Sequence, residues 1–241
     1  SRNAMLGVVG AVVVVVAAVM VYLSLHSSNG SSGPKTTSSG QLAPPAGVAD
    51  VQKLLDGIPQ TGLVLGDPNA KATLVEYGDL RCPSCRQWDT TTAPKVIEQL
   101  VRTGKIKLEF RLWPITSDAQ GTNADAINAA RSGMAAAAQN RYWYYALLFY
   151  KNQVDETKTY VVPTFTHWLA SAAGIKDLGA FDKATADNTV EAAIQQNGAE
   201  ATNYGFNGTP SFLAITAAGK TAPLQADQTD VAAIAKELGV G

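Results

Sequence analysis

Along this chain the apolar positions first gather in a run without a single charge, MLGVVGAVVVVVAAVMVYLSL, residues 5–25. At a helical rise of about 1.5 Å per residue it matches a hydrocarbon core of about 30 Å, and it has no polar face. The exit SLHSSNGSS lacks a small-residue cleavage site, so the run predicts an uncleaved transmembrane helix rather than a signal peptide. Residues 26–47, HSSNGSSGPKTTSSGQLAPPAG, are rich in Ser, Thr, Gly and Pro and predict a flexible tether to a body at 48–241. In the body, a β-prone run at 73–77 is ended by Gly78 and Asp79. Val96, Leu100 and Val101 then recur at helical spacing, with Pro94 as a kink or break and Gly104 as a stop. Ile106, Leu108, Phe110 and Leu112 alternate as on one face of a strand. The order strand, turn, helix, strand is a βαβ unit. Residues 116–204 read as helical in four segments: DAINAARSGMAAAAQ, RYWYYALLFYKN, PTFTHWLASAAG and NTVEAAIQQNGAEATNYG. Trp143, Ala146, Leu147 and Tyr150 share one helix face, a core stripe, and any exposed aromatic beside it is a candidate for lining a peptide groove. TAPL and the helix DQTDVAAIAKEL end the pattern.

Charge changes this picture little. The formal net charge is −1 and no run of Lys and Arg occurs, so nucleic acid is excluded as a partner. No internal repeat is visible. Residues 1–4, SRNA, read as a short N-terminal remnant. Arg2 before the apolar run, against only Lys35 soon after it, predicts a single pass with the N-terminus cytoplasmic and the catalytic body extracytoplasmic.

The chemistry rests on the only two cysteines, Cys82 and Cys85, in DLRCPSCRQW at the start of the helix that follows 73–77. Residues three apart share a helix face, so the two sulfurs can reach disulfide distance. The unpaired first-turn amides and the helix dipole favour a thiolate on Cys82, and Pro83 suits a first turn where its missing N–H has no partner. Arg81 and Arg86 either add positive field there or are simple solvated charges. Zinc would need about four ligands, and beyond the cysteines only His26 in the tether and His167 on a distant helix remain as soft donors. No metal site is therefore expected. A redox dithiol outweighs both zinc and an inert link, because no other cysteine exists to form a structural disulfide.

Four features in order resemble the DsbA-like members of the thioredoxin superfamily, in the branch with BdbD-type membrane-linked oxidases: GDPNAKATLVEYGDLRCPSC, a long insertion after LEFRLWPI, RYWYYALLFYKNQ, and NYGFNGTPSFLAI. The resemblance covers about residues 63–238. It implies an α/β, thioredoxin-like fold with an inserted helical subdomain at about 116–204. Cys82 matches the exposed nucleophile and Cys85 its buried resolving partner, around the dipeptide Pro83-Ser84. Pro210 matches a cis-proline facing the disulfide, and Thr209 before it a site where substrate backbone pairs by strand addition. Glu76 matches a buried acid beneath the resolving cysteine, where it could accept or deliver the proton that Cys85 exchanges; this reading is favoured over a solvent-facing Glu on the strand. Ser84 replaces the His of DsbA itself, which implies a weaker oxidant. The implied activity is a thiol:disulfide oxidoreductase without a cofactor, acting as a monomer. It would oxidise reduced or unfolded secreted and envelope proteins and be reoxidised by a membrane redox partner. A reductase or isomerase of the same compartment, and a tethered chaperone or binding module with an incidental CxxC, remain alternatives.

Overall fold

The computed structural model describes residues 43–117 and 120–241, together with Pro34. The expected membrane span at 5–25, the remnant at 1–4 and most of the tether lie outside the described residues. Among the described residues, no helix is long and apolar enough to cross a membrane.

Two seven-residue strands make the centre of a sheet. β3 (Ala72–Gly78) and β4 (Ile106–Leu112) run parallel, registering Ala72 with Ile106 and Gly78 with Leu112. β5 (Ser211–Ile215) pairs antiparallel with the other side of β3, and β6 (Thr221–Pro223) with β5. The hairpin of β1 (Gln60–Thr61) and β2 (Val64–Leu65) adds to β4, so the strand order is β1-β2-β4-β3-β5-β6. β4 alternates between buried and half-buried residues, as its sequence predicts. β3 is buried at every position because both faces of this central strand are covered, which is why it shows no alternation.

The β3–β4 crossover is broken where Pro94 anticipates it. α2 (Pro83–Thr91) stops at Thr92, α3 (Ala93–Val96) restarts with Pro94 in its first turn, and a wider π turn (Ile97–Val101) follows. A proline ring tolerates that first turn but would meet the carbonyl four residues back in a continuous helix. Gly104, at φ 72°, ends the segment.

Five helices form the insertion: α4 (Ala124–Ala138), α5 (Tyr142–Lys151), α6 (Pro163–Ala172), α7 (Leu178–Thr185) and α8 (Glu191–Asn203). α7 is one more than the apolar spacing predicts; within it Phe181 alone is buried, too little to make a stripe. The expectation of a one-faced α5 is corrected. From Tyr142 to Tyr150 every residue but Tyr144 is buried, so no exposed aromatic row is left on it to line a groove. α1 (Val48–Leu55) packs on α5, and the chain entering it is already tied down, with Ala46 N donating to Asn152 Oδ1 at 2.9 Å and Trp168 Nε1 to the Ala43 carbonyl at 2.7 Å. α9 (Val231–Glu237), capped by Asp230 on the amides of Ala232 and Ala233, closes the chain. Each fully enclosed ring such as Phe149 or Phe165 contributes about 1.5–3 kcal/mol of apolar burial.

Candidate active site

Cys82 is the N-cap of α2, with extended backbone (φ −69°, ψ 125°), and Pro83 takes the first helical position. Two polar anchors set this turn. The Asp79 carboxylate accepts from the amides of Arg81 (2.8 Å), Ile115 (2.9 Å) and Thr116 (2.7 Å), while Cys82 N donates to the Asp79 carbonyl at 3.0 Å. Gln153, just past α5, donates through Nε2 to the carbonyls of Leu80 (2.9 Å) and Cys82 (3.2 Å).

Both cysteines are free thiols in this structure. The Thr209–Pro210 peptide bond is cis, and it sets the Thr209 carbonyl 3.3 Å from Cys82 Sγ, within reach of the thiol proton. Cys82 is lowered to about 6, chiefly by the hydrogen bond its sulfur accepts from the Cys85 thiol; burial opposes this, while Thr209 and the amides of Cys85 and Ser84 add to it. The donors prevail over desolvation because they are aimed at one atom. Cys82 is not the open thiol expected, being only 9% exposed, whereas Pro83 and Ser84 beside it are exposed. Cys85 is fully enclosed, and burial pushes its thiol well up, helped by its bond to Cys82 and by the charge of Glu76.

Beneath them lies Glu76, 1% exposed, so the solvent-facing reading is wrong for this strand position. It shares the face of β3 with Gly78, where an added Cβ would stand 2.3 Å from the Phe110 ring and 3.0 Å from Glu76 Oε1. Only glycine leaves that carboxyl its space. Asp89, one turn beyond Cys85 on α2, meets Glu76 from the other side. Burial raises Glu76 well above the usual carboxylate range, and the neighbouring Asp89 adds to the shift; burial likewise raises Asp89, to about 8. Nothing in RQWDTTT marked Asp89, since an Asp on a polar helix stretch is normally solvated. The aromatic lid Tyr142 and Tyr150, both enclosed and both raised by burial, completes the dry compartment.

Arg81 overturns the reading of a solvated charge. It is 0% exposed: Nε lies 3.1 Å from Asp125 Oδ2, Nη2 donates to the Lys158 carbonyl at 2.7 Å and also to that of Glu156, and the guanidinium stands over the Tyr160 ring. Asp125 in turn accepts from the amides of Tyr160 and Val161. The charge is spent on the insertion and is not among the leading causes that lower Cys82. Arg86 is exposed. His167 sits on the surface with Nδ1 2.9 Å from Asp182, and among the described residues no cluster of His, Cys, Asp and Glu could hold a metal ion.

A family model described as thioredoxin matches residues 59–221. The probable disulfide bond formation protein D of Bacillus cereus is 31% identical over 97 residues, which cover 40% of this chain and 43% of that protein. The matched stretch thus spans less than half of this curated relative. The oxidised crystal structure of BdbD from Bacillus subtilis superposes with a TM-score of 0.62 at 18% identity, covering 76% of this chain and 95% of that one. MdbA, a thiol-disulfide oxidoreductase from Corynebacterium diphtheriae, does so with 0.55 at 18% identity, covering 68% and 87%. At these identities the superpositions speak for the fold: a thioredoxin sheet carrying a helical insertion.

Proposed function

The chain belongs to the thioredoxin family, and from that premise we propose that it is a thiol:disulfide oxidoreductase that oxidises cysteine pairs in secreted or envelope proteins outside the cytoplasm. The observation that carries this reading is the opposite treatment of two thiols three residues apart. Cys82 is held as a thiolate near neutral pH and Cys85 is kept protonated. A substrate thiolate attacks Cys82 Sγ of the disulfide form, Cys85 leaves and takes a proton, and a mixed disulfide results. A second substrate thiolate attacks the substrate sulfur of that bond, releasing the substrate disulfide and the Cys82 thiolate. Two electrons have moved to the enzyme, and a membrane redox partner would remove them. Glu76 supplies the proton that Cys85 takes, and Thr209 and Pro210 would present backbone to an extended substrate. The expected anchor at 5–25 would hold the site beside that partner. The relatives named for disulfide bond formation support the oxidising direction.

The size of the effect can be set. With Cys82 at about 6 instead of 9, ionisation stabilises the dithiol form at pH 7 by about 1.4 kcal/mol, or about 30 mV for two electrons. That alone covers a third of the roughly 90 mV between the potentials of thioredoxin and protein disulfide isomerase. The oxidase reading therefore requires the disulfide form to be destabilised as well, and the reduction potential of the Cys82–Cys85 pair decides it. Equilibration with glutathione should give a value above about −180 mV; one near −270 mV would replace oxidase by reductase. If a Cys82→Ser, Cys85→Ser double variant kept full function in cells, the protein would instead be a binding module.

A further inference from the structure

Asn-Gly is the dipeptide in which an asparagine side chain most readily reacts with its own backbone, because no Cβ shields the following amide. The chain has three such dipeptides, at 29–30, 197–198 and 207–208, and the last two lie among the described residues. Their surroundings differ. Asn197 and Gly198 sit inside α8, where Asn197 Nδ2 donates to the Leu112 carbonyl at 3.1 Å and a Cβ added to Gly198 would stand 3.2 Å from Trp113 Nε1. Helical dihedrals also point the Gly198 amide along the axis, away from the Asn197 side chain. Asn207 and Gly208 occupy the irregular stretch between α8 and β5. Asn207 is exposed, and among the described residues neither its side chain nor the Gly208 amide has a hydrogen-bond partner in the protein. A Cβ added to Gly208 would meet no atom within 4 Å. The nucleophilic nitrogen, the carbon it attacks and water therefore have open access to one another. The position matters because Thr209 comes next, and its carbonyl lies 3.3 Å from Cys82 Sγ.

We propose that Asn207 is a self-modification site, at which loss of ammonia leaves an aspartyl or isoaspartyl residue beside the catalytic turn and slows thiol exchange as the protein ages. The deprotonated Gly208 nitrogen attacks Asn207 Cγ, a five-membered succinimide closes, and the bond from Cγ to the amide nitrogen breaks to release ammonia. Water then opens the ring. Addition at Cγ gives the aspartyl form; addition at the main-chain carbonyl gives the isoaspartyl form, whose backbone runs through Cβ and Cγ. No electrons are exchanged, and one water is consumed for each ammonia released. Both products carry a carboxylate that Asn207 lacks, separated from Thr209 by at most about 7 Å of chain. That charge works against the donors that stabilise the Cys82 thiolate, and makes this sulfur a poorer leaving group when the mixed disulfide is resolved. The isoaspartyl form also adds a backbone atom just before Gly208, whose carbonyl accepts from Ser211 Oγ at 2.6 Å, and so displaces the turn that sets the Thr209 carbonyl. The effect on exchange rests on the reading of Cys82 as the nucleophile; the modification itself does not.

The test is to hold the disulfide form of the full chain at mildly alkaline pH for days and to withdraw samples. Each is digested to follow the peptides carrying Asn197 and Asn207 by mass spectrometry, and each is assayed for oxidation of a dithiol peptide. Asn207 should convert at least about tenfold faster than Asn197, into two product peptides of equal mass, and Gly208→Ala, whose methyl enters open space, should slow that conversion about tenfold. Exchange by the aged wild type should fall about two- to fivefold, and Cys82, read by thiolate absorbance after reduction, should titrate higher by less than about one pH unit. Fresh Asn207→Asp should reproduce that shift, and aged Gly208→Ala should keep its starting rate. If Asn207 stays intact, or converts no faster than Asn197, the site is overturned. If it converts while rate and titration keep their fresh values, its control over Cys82 is overturned. Should the fresh protein not oxidise the peptide at all, the oxidoreductase reading fails instead, and mass and titration still decide the fate of Asn207.

Discussion

Two buried polar clusters flank the CPSC turn, and they lose their charge by different means. Arg81 and Asp125 cancel each other as an ion pair and are further tied to the backbone of residues 156–161. Glu76 and Asp89 have no cation between them and are neutralised by protons. Burial is equal in the two; the response is not. An ion pair removes its charge permanently and fixes structure, whereas a pair of acids keeps a charge in reserve that pH and the redox state of Cys82 can call out. The turn that bears Cys82 is thus braced by an ion pair on one side and by buried acids that hold their protons on the other.

The largest effect should come from breaking the fixed cluster. Arg81→Met leaves Asp125 buried without its cation and should cost about 3–5 kcal/mol in urea unfolding, while Arg81→Met with Asp125→Leu should recover much of the loss. Because Arg81 is not among the leading causes that lower Cys82, the thiol should still titrate near 6 in the refolded double variant. A drop in thiolate content would mean that the guanidinium acts on the sulfur after all.

The responsive cluster predicts a pH dependence of stability. Asp89 is raised from 3.8 to about 8, so the native state binds more protons than the unfolded chain between those values. Its stabilising contribution is complete below about pH 4 and is lost as pH rises through about 8, with a slope of at most about 1.4 kcal/mol per unit. Cys82 works in the opposite sense, since a thiol lowered to about 6 adds stability to the dithiol form as pH rises from about 6 to about 9. The two oppose each other between about 6 and 8, so the net decline should be clearest from about pH 4 to 6. Urea midpoints measured under reducing conditions should show that decline, flattened in Asp89→Asn. Smaller still, Glu76→Gln should slow disulfide exchange by more than about twofold, as expected of a lost general acid. The smallest change belongs to Thr209→Val, which removes a single donor to Cys82 and should move the thiol's titration upward by less than about one pH unit, that is by less than about 1.4 kcal/mol.

The contrast also explains what the sequence made legible. CPSC at a helix start could be read locally, because the helix end, the proline and the two thiols are neighbours in the chain. β4 announced itself by alternation, and the break near Pro94 by the proline's geometry. Glu76 and the cis bond before Pro210 came only through the resemblance to DsbA-like chains, since nothing in LVEY or GTPS separates a buried acid from an exposed one or cis from trans. Asp89 carries no mark in the sequence, and Arg81 reads as a surface charge there, for one reason. Their partners, Glu76 and Asp125, lie on other elements, and a charged residue beside a polar helix start looks solvated until the fold brings its partner over. The two-residue strands β1 and β2 are too short to alternate, and α7 buries too little to show a period.

The clamp on the turn has a bearing on modularity. Gln153 holds the carbonyls of Leu80 and Cys82, and Arg81 holds those of Glu156 and Lys158, so the backbone around Cys82 is bolted to one segment of the insertion. A minimal version trimmed to the six strands and their crossover would strand a bare guanidinium inside the molecule and release the peptide that carries Cys82. Excision or domain grafting should treat residues 79–85, 125 and 153–161 as a single transplantable unit.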